Sequence, residues 1–575
     1  SLVRDVLARA QTLLAEAHAR AGAGGFGAAL RLARDALRDD PAAAARASAA
    51  YDALVVDEFQ DTSRVQVDLL RLLWERDPRS RAPGAMPVYG DFRPRGLLVV
   101  GDRKQSIYAF RGADVGVFVT TCVELAGERA RAALELAPGA VPVPARATAD
   151  FFALRENYRA NAGLIEFVNA FSREALVGGD DLSEARYAEA VESLLPAPTT
   201  RRPSGPCVFW VRPPGEPEDT TRLDDATLAT SYIAAALERR DARLRPRDFA
   251  ILAQSNEMLD ASAFALSRVG IPHVVAGRGF FAAREVQDVL ALLRWIDRPD
   301  DRAALLAVLR GPFAALSDRT LIGLTEPHRG LATDLERWDL LERRGLVEDA
   351  DRDALERIRV VLRALRRAAP RLGPGRTLRE AVRELELEQT LLLQPRGVQR
   401  IANVRKLLRI ADEETSIRAL LDRVARAEER AREPEAATFS EDDDAVRLLT
   451  IHGSKGLAFR VVLVPELRGT PVRATSSTLG IDLRASPAWL ATKVVDDRGE
   501  PVATPSIEQL TERERARVRA DRRRLMYVAV TRAREELVFV GGMKKVSRTE
   551  PSFGAVLASL GTGALEIREM AVKRS

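Results

Sequence analysis

Two adjacent acids follow a short apolar run in Leu54-Val55-Val56-Asp57-Glu58-Phe59-Gln60-Asp61-Thr62. An α/β phosphate-hydrolysing domain presents its magnesium ligand and its water-activating carboxylate in this way, at the carboxyl end of a buried strand. Asp57 is then the candidate metal ligand and Glu58 the group that orients and deprotonates water. Apolar runs also precede acids for purely structural reasons, with Asp57 as a helix cap, so the surrounding blocks must decide.

Those acids need a sheet to hold them. Residues 1–50 carry Leu and Ala at helical spacing, a strand then delivers Asp57-Glu58, and an amphipathic helix runs from Val65 to Trp74. A Pro/Gly-rich loop (Arg79 to Arg95) leads into a second buried strand, Leu97-Leu98-Val99-Val100, which ends at Gly101-Asp102. Alternating strands and helices with short loops predict an α/β fold with a parallel, doubly wound sheet. Residues 136–150 read as a linker, and a second α/β unit begins near Arg155 with a Pro-rich loop at 196–222. From about 300 to 432 the pattern is helical and Arg/Glu-laced. Glu433 to Asp444 reads as an acidic linker, and strand signals return at Val446 to Ile451 and Val461 to Val464. Four segments are therefore expected: a first α/β domain at 1–150, a second at 151–299, an inserted helical subdomain at 300–440, and the rest of the second domain at 441–575.

The bulk numbers agree with a large globular protein. Of 575 residues, 46% are hydrophobic and 30% charged, which excludes a disordered chain. A net charge of +5 is too weak to argue for nucleic acid by itself, so charge placement must do so. Cys122 and Cys207 follow no metal or disulfide spacing, which suits a reducing cytoplasm. No apolar run of about eighteen residues is present, so no membrane partner is expected.

The residues from Leu97 to Asp114, Leu-Leu-Val-Val-Gly-Asp-Arg-Lys-Gln-Ser-Ile-Tyr-Ala-Phe-Arg-Gly-Ala-Asp, together with the Asp57 block, closely resemble motifs II and III of the UvrD/Rep class of superfamily 1 DNA helicases. Arg155-Glu-Asn-Tyr-Arg159 resembles motif IV, Thr450-Ile-His-Gly-Ser-Lys-Gly-Leu-Ala-Phe459 motif V, and Arg524-Leu-Met-Tyr-Val-Ala-Val-Thr-Arg-Ala533 motif VI. Gly270 to Phe281 with Glu285-Val286 resembles the segment that follows motif IV. Lys104, Phe110 and the block Leu309-Arg310-Gly-Pro-Phe313 lean toward the AddA/RecB branch. Singly, each residue has a plain structural reading, with Phe110 in a core and Arg159 or Arg532 an ordinary surface charge; the ordered set argues otherwise.

The resemblance implies tandem RecA-like P-loop NTPase domains with ATP and Mg2+ between them. Asp57, Glu58, Gln105, Arg159 and Arg532 would be catalytic, Gln105 sensing the γ-phosphate and the two arginines acting as fingers from the second domain. Tyr158 would stack on adenine. Tyr108, Phe110, Arg111, His452 and Lys455 would hold single-stranded DNA, Phe110 by a base stack worth roughly 1–3 kcal/mol, and His452 and Lys455 resemble the residues that connect the nucleotide to the strand. The basic run Arg513 to Arg524 reads as a solvated helix flank without a role. His273 and His328 read as structural, and the five tryptophans as core residues.

Departures matter. The chain contains no Gly-Lys dipeptide and hence no Gly-x-x-x-x-Gly-Lys-Ser/Thr phosphate loop; Gly22 to Gly27 is Gly-rich but lacks the lysine. An N-terminal portion is therefore expected to be missing, and the chain alone is not expected to hydrolyse ATP. Ala458 replaces a motif V glutamate, Gln254 a common arginine, and Asp521-Arg522 an acidic pair in part. No Asp-Tyr-Lys nuclease signature occurs. The expectation is the C-terminal portion of an ATP-dependent 3′-to-5′ helicase of recombination and double-strand break repair. It would be cytoplasmic and nucleoid-associated, acting on single-stranded DNA and single/double-strand junctions, with a partner subunit of the kind found in AddAB- or RecBCD-like complexes. The alternative is an ATP-incompetent DNA-binding scaffold subunit, favoured by the missing phosphate loop and disfavoured by the retained five residues.

Overall fold

The computed structural model describes residues 26–136, 141–144, 146–176, 194–200, 205–214, 221–239, 244–275, 283–325, 338–394, 397–431, 444–468, 479–482, 489–496, 500–542, 552–561 and 565–570, with single positions 9, 13, 203, 281, 335 and 336 between them. The stretch Gly22-Ala-Gly-Gly, most of the Glu433–Asp444 linker, residues 276–280 of the Gly270 block, His328 and the Trp489 side chain lie outside the described residues.

The chain divides into two compact units, 1–274 with 440–575, and 275–439. The first unit holds three sheets that matter for the site. Strands β1 (Leu54–Val56) and β2 (Leu97–Val99) pair in parallel, Val55 opposite Leu98. One face of this pair, Leu54, Val56, Leu97 and Val99, packs on a core of Phe59, Val67, Phe118, Val119 and Val123. The amphipathic helix Arg64–Trp74 contributes Val67, Leu70 and Trp74 to the interior, its apolar positions falling at helical spacing. Ser63 starts it with a capping box to Gln66, which satisfies two otherwise orphaned backbone donors. A short parallel pair, β3 (Glu156–Asn157) with β4 (Leu195–Pro196), carries the segment resembling motif IV.

The larger sheet is built from β5 (Val208–Arg212), β6 (Phe249–Ala253), β7 (His273–Val275), β8 (Val446–Thr450), β9 (Phe459–Val464), β14 (Ala533–Val540) and β15 (Glu566–Glu569). Two small antiparallel pairs stand apart from it in the chain between β9 and β14. They are β10 (Leu479–Asp482) with β11 (Trp489–Thr492), and β12 (Val494–Val495) with β13 (Pro501–Val502). The seven strands of the large sheet run in the order β15-β5-β14-β9-β6-β8-β7. The pairings β15–β5, β5–β14, β14–β9, β9–β6 and β6–β8 are all parallel. Continuous apolar runs such as Phe-Ala-Ile-Leu-Ala in β6 are buried along their length, as a sheet covered on both faces requires. Phe167 and Phe171, on the helix Ala162–Ala175, stack on Phe539 of β14. The chain is thus an α/β protein with tandem RecA-like domains.

Strand β6 and strand β8 are sequence-distant neighbours because the second unit is inserted between them. All its described elements after β7 are helices, around a core of Val289, Leu293, Leu305, Leu362, Leu407 and Leu420. It begins at Val275, not near residue 300 as the sequence pattern predicts. Helix Arg284–Asp297 belongs to it, because Val286, Val289, Leu290 and Leu293 face that helical core rather than a sheet. Helix Arg352–Glu384 breaks at Gly373 (φ 72°), between Pro370 and Pro374. Trp74, Trp210 and Trp295 are buried, as is His273. No described helix is long and apolar enough to cross a membrane.

Candidate nucleotide and DNA site

All of the candidate residues lie in the first unit, where the loops after β1 and β2 meet the loop after β8 and the end of the helix Pro505–Val530. Asp57 leaves β1 exposed, and one of its oxygens accepts the Glu58 N–H at 2.8 Å. Glu58 then adopts a left-handed backbone (φ 50°, ψ 39°). That conformation costs a non-glycine residue roughly 1 kcal/mol and turns the carboxylate away from the strand line. Gln60 fixes it: its side-chain amide donates to Glu58 at 2.5 Å and accepts from the Asp102 N–H at 2.9 Å. Gly101 is needed there, since a Cβ would fall 2.6 Å from the Gln60 oxygen and 2.9 Å from the Phe118 ring.

Gln105 sits on a short turn after β2, capped by Asp102, which accepts from the Lys104 N–H at 3.0 Å. Two residues from the other side of the cleft grip it. Arg532 approaches its side-chain oxygen at 3.4 Å, and the Lys455 ammonium donates to its backbone carbonyl at 2.8 Å. Lys455 also donates to Asp61 and lies 3.4 Å from Glu58.

Arg532 is only 2% exposed and is held by the carbonyls of Val528 (3.0 Å) and Leu457 (3.1 Å). Burial first, then the charge of Arg159, push its guanidinium down to about 10, so it stays charged at neutral pH. Arg159 itself is exposed at the end of β3, where its N–H bonds Asn157 at 2.8 Å. Two guanidinium groups that oppose each other electrostatically make a site that favours an anion. Tyr158, beside Arg159, is 72% exposed and its hydroxyl donates to Glu156.

The DNA-side candidates cluster separately. The Tyr108 hydroxyl donates to the His452 carbonyl at 3.2 Å, and Phe110 meets the His452 ring edge-on at 5.6 Å. Arg111 lies over the Tyr108 and Phe110 rings at 5.3 and 5.9 Å. Phe110 is 62% exposed, so it is no core residue. Burial pushes the His452 imidazole below its usual value, Arg111 adding to the effect, while Asp521 and a backbone bond to Ile107 oppose it. Lys455 is brought to the carboxylates, with its ammonium 5.3 Å from the Tyr108 ring.

Among the described residues, no group of three or more His, Cys, Asp or Glu could cage a metal ion. The donor set nonetheless fits magnesium, which takes one or two protein carboxylates and completes its octahedron with water and phosphate oxygens. Asp57 is exposed, and its hydrogen bond from the Glu58 N–H engages one oxygen of the carboxylate.

Sequence reading missed Gln60, Asp61 and Arg524. The first two stand in the turn directly after the acids, and their polarity there was the available signal. The partner of Asp61 lies 394 positions away, beyond any local pattern. Arg524 ends the basic run read as a solvated flank, yet it is buried and donates to the Ser106 carbonyl at 2.6 Å.

Residues 152–541 match the family model of the UvrD-like helicase C-terminal domain, and residues 3–122 that of the UvrD/REP helicase N-terminal domain. Among curated proteins, the chain is similar to an ATP-dependent helicase/nuclease subunit of Bacillus pumilus, 26% identical over 524 residues, covering 86% of this chain and 40% of that protein. The protein of the same description from Anoxybacillus flavithermus is 28% identical over 535 residues, with 86% and 40% covered. That of Geobacillus thermodenitrificans is 26% identical over 551 residues, with 90% and 41% covered. The chain spans about two fifths of the length of these relatives. With the order of its blocks, the parallel sheets and the matched domains in agreement, the chain belongs to the UvrD-like helicase family.

Proposed function

We propose that this chain is part of an ATP-dependent DNA helicase that moves 3′ to 5′ on single-stranded DNA in recombination and double-strand break repair. The observation that supports it most is the span Gln105 to Tyr108. At one end, Gln105 touches Arg532 and Lys455 beside the acids; at the other, Tyr108 bonds His452 beside the exposed Phe110. A change at the nucleotide is thereby three residues from the strand.

Bound magnesium–ATP supplies the electrophilic phosphoryl group and its neutralised charge. Asp57 would hold the metal, and Glu58, aimed by Gln60, would accept the proton of the attacking water. Gln105 senses the γ-phosphate, Arg159 and Arg532 stabilise the charge that develops on the oxygens, and Tyr158 stacks on the base. Phe110 stacks on a nucleobase, with Tyr108, Arg111 and His452 around it and Lys455 linking them to the acids. The relatives are named as one subunit of a helicase/nuclease, which supports work beside a partner protein; the substrates assigned to it are single-stranded DNA and its junctions, met in the cytoplasm at the nucleoid.

The test is DNA-stimulated ATP turnover by the longest natural form of the protein beside its Glu58→Gln variant. Turnover that requires single-stranded DNA and vanishes in Glu58→Gln supports the motor. Single-stranded DNA binding without turnover supports instead an ATP-incompetent scaffold. The 575-residue chain, which has no phosphate loop, is expected to show no turnover alone.

A further inference from the structure

Asp61 has no part in the reading above, yet its placement is demanding. It ends the turn Phe59–Asp61 that follows Glu58. One of its oxygens receives the Lys455 ammonium, and the other is buried with no hydrogen-bond partner among the described residues. A lone surface pair would leave both oxygens to water. Here the pair has been taken out of water, at the junction of the two sides of the cleft.

Lys455 spends all of its charge on the opposite side. An ammonium has three N–H groups. They face Asp61, the Gln105 carbonyl at 2.8 Å and Glu58 at 3.4 Å. The backbone behind Lys455 is the short turn His452–Ser454, and it is tied at each step. The Lys455 N–H donates to the His452 carbonyl at 3.3 Å, the Gly453 N–H to the Thr450 hydroxyl at 3.1 Å, and the Ser454 hydroxyl to the Ile451 carbonyl at 2.7 Å. Ser454 is fully buried. The turn is thus a fixed base from which the Lys455 stem reaches Asp61, the Gln105 carbonyl and Glu58. The His452 carbonyl of the same turn accepts both the Lys455 N–H and the Tyr108 hydroxyl.

We propose that Asp61 is a positioning residue that, by holding Lys455, couples the acid pair to the aromatic cluster of Tyr108, Phe110 and His452. Resting on the functional reading above, the inference adds the residue that transmits between its two sites. Without Asp61, the ammonium loses its buried counter-charge and the turn loses its fixed distance from Glu58 and Gln105.

The test uses the longest natural form of the protein with Asp61→Asn, Asp61→Glu, Lys455→Met and the Asp61→Asn/Lys455→Met pair. Affinity for single-stranded DNA is measured by fluorescence anisotropy with and without magnesium and a non-hydrolysable ATP analogue, beside kcat and KM for ATP. In Asp61→Asn the analogue is expected to leave DNA affinity unchanged, and kcat to fall about tenfold while KM stays within about twofold. The double variant should be no worse than Lys455→Met, and Asp61→Glu should recover most of the coupling. Asp61→Asn with the wild-type response to analogue, or a double variant whose losses multiply, overturns the inference. If Asp61→Asn fails to fold, Lys455→Met reads the same link from its other end, and a wild-type response there overturns it equally. A wild-type protein that neither turns over ATP nor changes its DNA affinity with the analogue overturns the functional reading and this inference together. Turnover lost in Glu58→Gln but wild-type coupling in Asp61→Asn overturns this inference alone.

Discussion

The Arg524 guanidinium donates to the Ser106 carbonyl at 2.6 Å, a buried contact between residues 418 positions apart. Arg524 also pairs with Asp521 at 3.2 Å, one turn earlier on its own helix. Together with Arg532 and Lys455 on Gln105, it makes the loop after β2 the seam on which the two sides of the cleft close. In Arg524→Ala the buried Ser106 carbonyl loses this charged donor, at a cost of roughly 1–3 kcal/mol. The thermal midpoint of the chain should fall by about 1 °C for each kcal/mol lost, because the unfolding entropy scales with its large size. Arg524→Lys cannot reproduce the planar fork and should fall in between. A midpoint equal to the parent's in Arg524→Ala would falsify the seam.

Phe110 illustrates the opposite case, a large apolar side chain left in solvent. Its 62% exposure means that Phe110→Ala removes little packing, so stability should change by no more than about 0.5 kcal/mol. Single-stranded DNA affinity should drop by roughly 1–3 kcal/mol, the worth of one base stack. The slope of affinity against salt should not change, because no phosphate contact is lost. Anisotropy titrations at several salt concentrations check both numbers; a stability loss with intact affinity would return Phe110 to a packing role.

How much of this was legible in the sequence follows from how local each signal is. Strands β1, β2, β8 and β9 were readable because each is a short apolar run ending at a polar turn. So were Asp57, Glu58 and Gln105, which stand at such ends. The start of the insert was not, since the helix Arg284–Asp297 has the same apolar spacing whether it covers a sheet or joins a bundle. The buried partners of Lys455 and Arg524 were hidden for a different reason. Both are basic residues whose partners, Asp61 and Ser106, are set by the closure of the fold, and a lysine or arginine in a polar stretch is otherwise a solvated one.

His452 should make the chain's stability fall on mild acidification. Burial holds its imidazole below the usual 6.5, so the unfolded chain takes up that proton first as pH drops. The stability His452 contributes is fully present above pH 6.5 and is lost as pH falls from there through its folded-state pKa. With only four histidines in the chain, the ring resonance missing from His452→Asn identifies it in an NMR titration. A midpoint at or above 6.5 would contradict its burial beside Tyr108 and Phe110.

Glu466, just past the end of β9, has a left-handed backbone (φ 59°) that a side chain ordinarily avoids. Its carboxylate repays the strain by bridging to the end of the adjacent β6. It accepts the N–H groups of Gln254 (3.0 Å) and Ser255 (3.2 Å) and the Ser255 hydroxyl (2.7 Å), with Arg222 at 3.4 Å. Glu466→Ala and Glu466→Gly lose these bonds alike, so both should be less stable than the parent. They differ in the backbone. Alanine keeps a left-handed cost of roughly 1–2 kcal/mol that glycine escapes. Glycine gives back about 0.4–1 kcal/mol through the greater freedom of the unfolded chain. The strain term is the larger, so Glu466→Gly should exceed Glu466→Ala by about 0.5–1 kcal/mol in denaturant unfolding. Alanine equal to or above glycine would mean that the carboxylate's partners, and not the chain, impose the left-handed turn, and that it relaxes once they are gone.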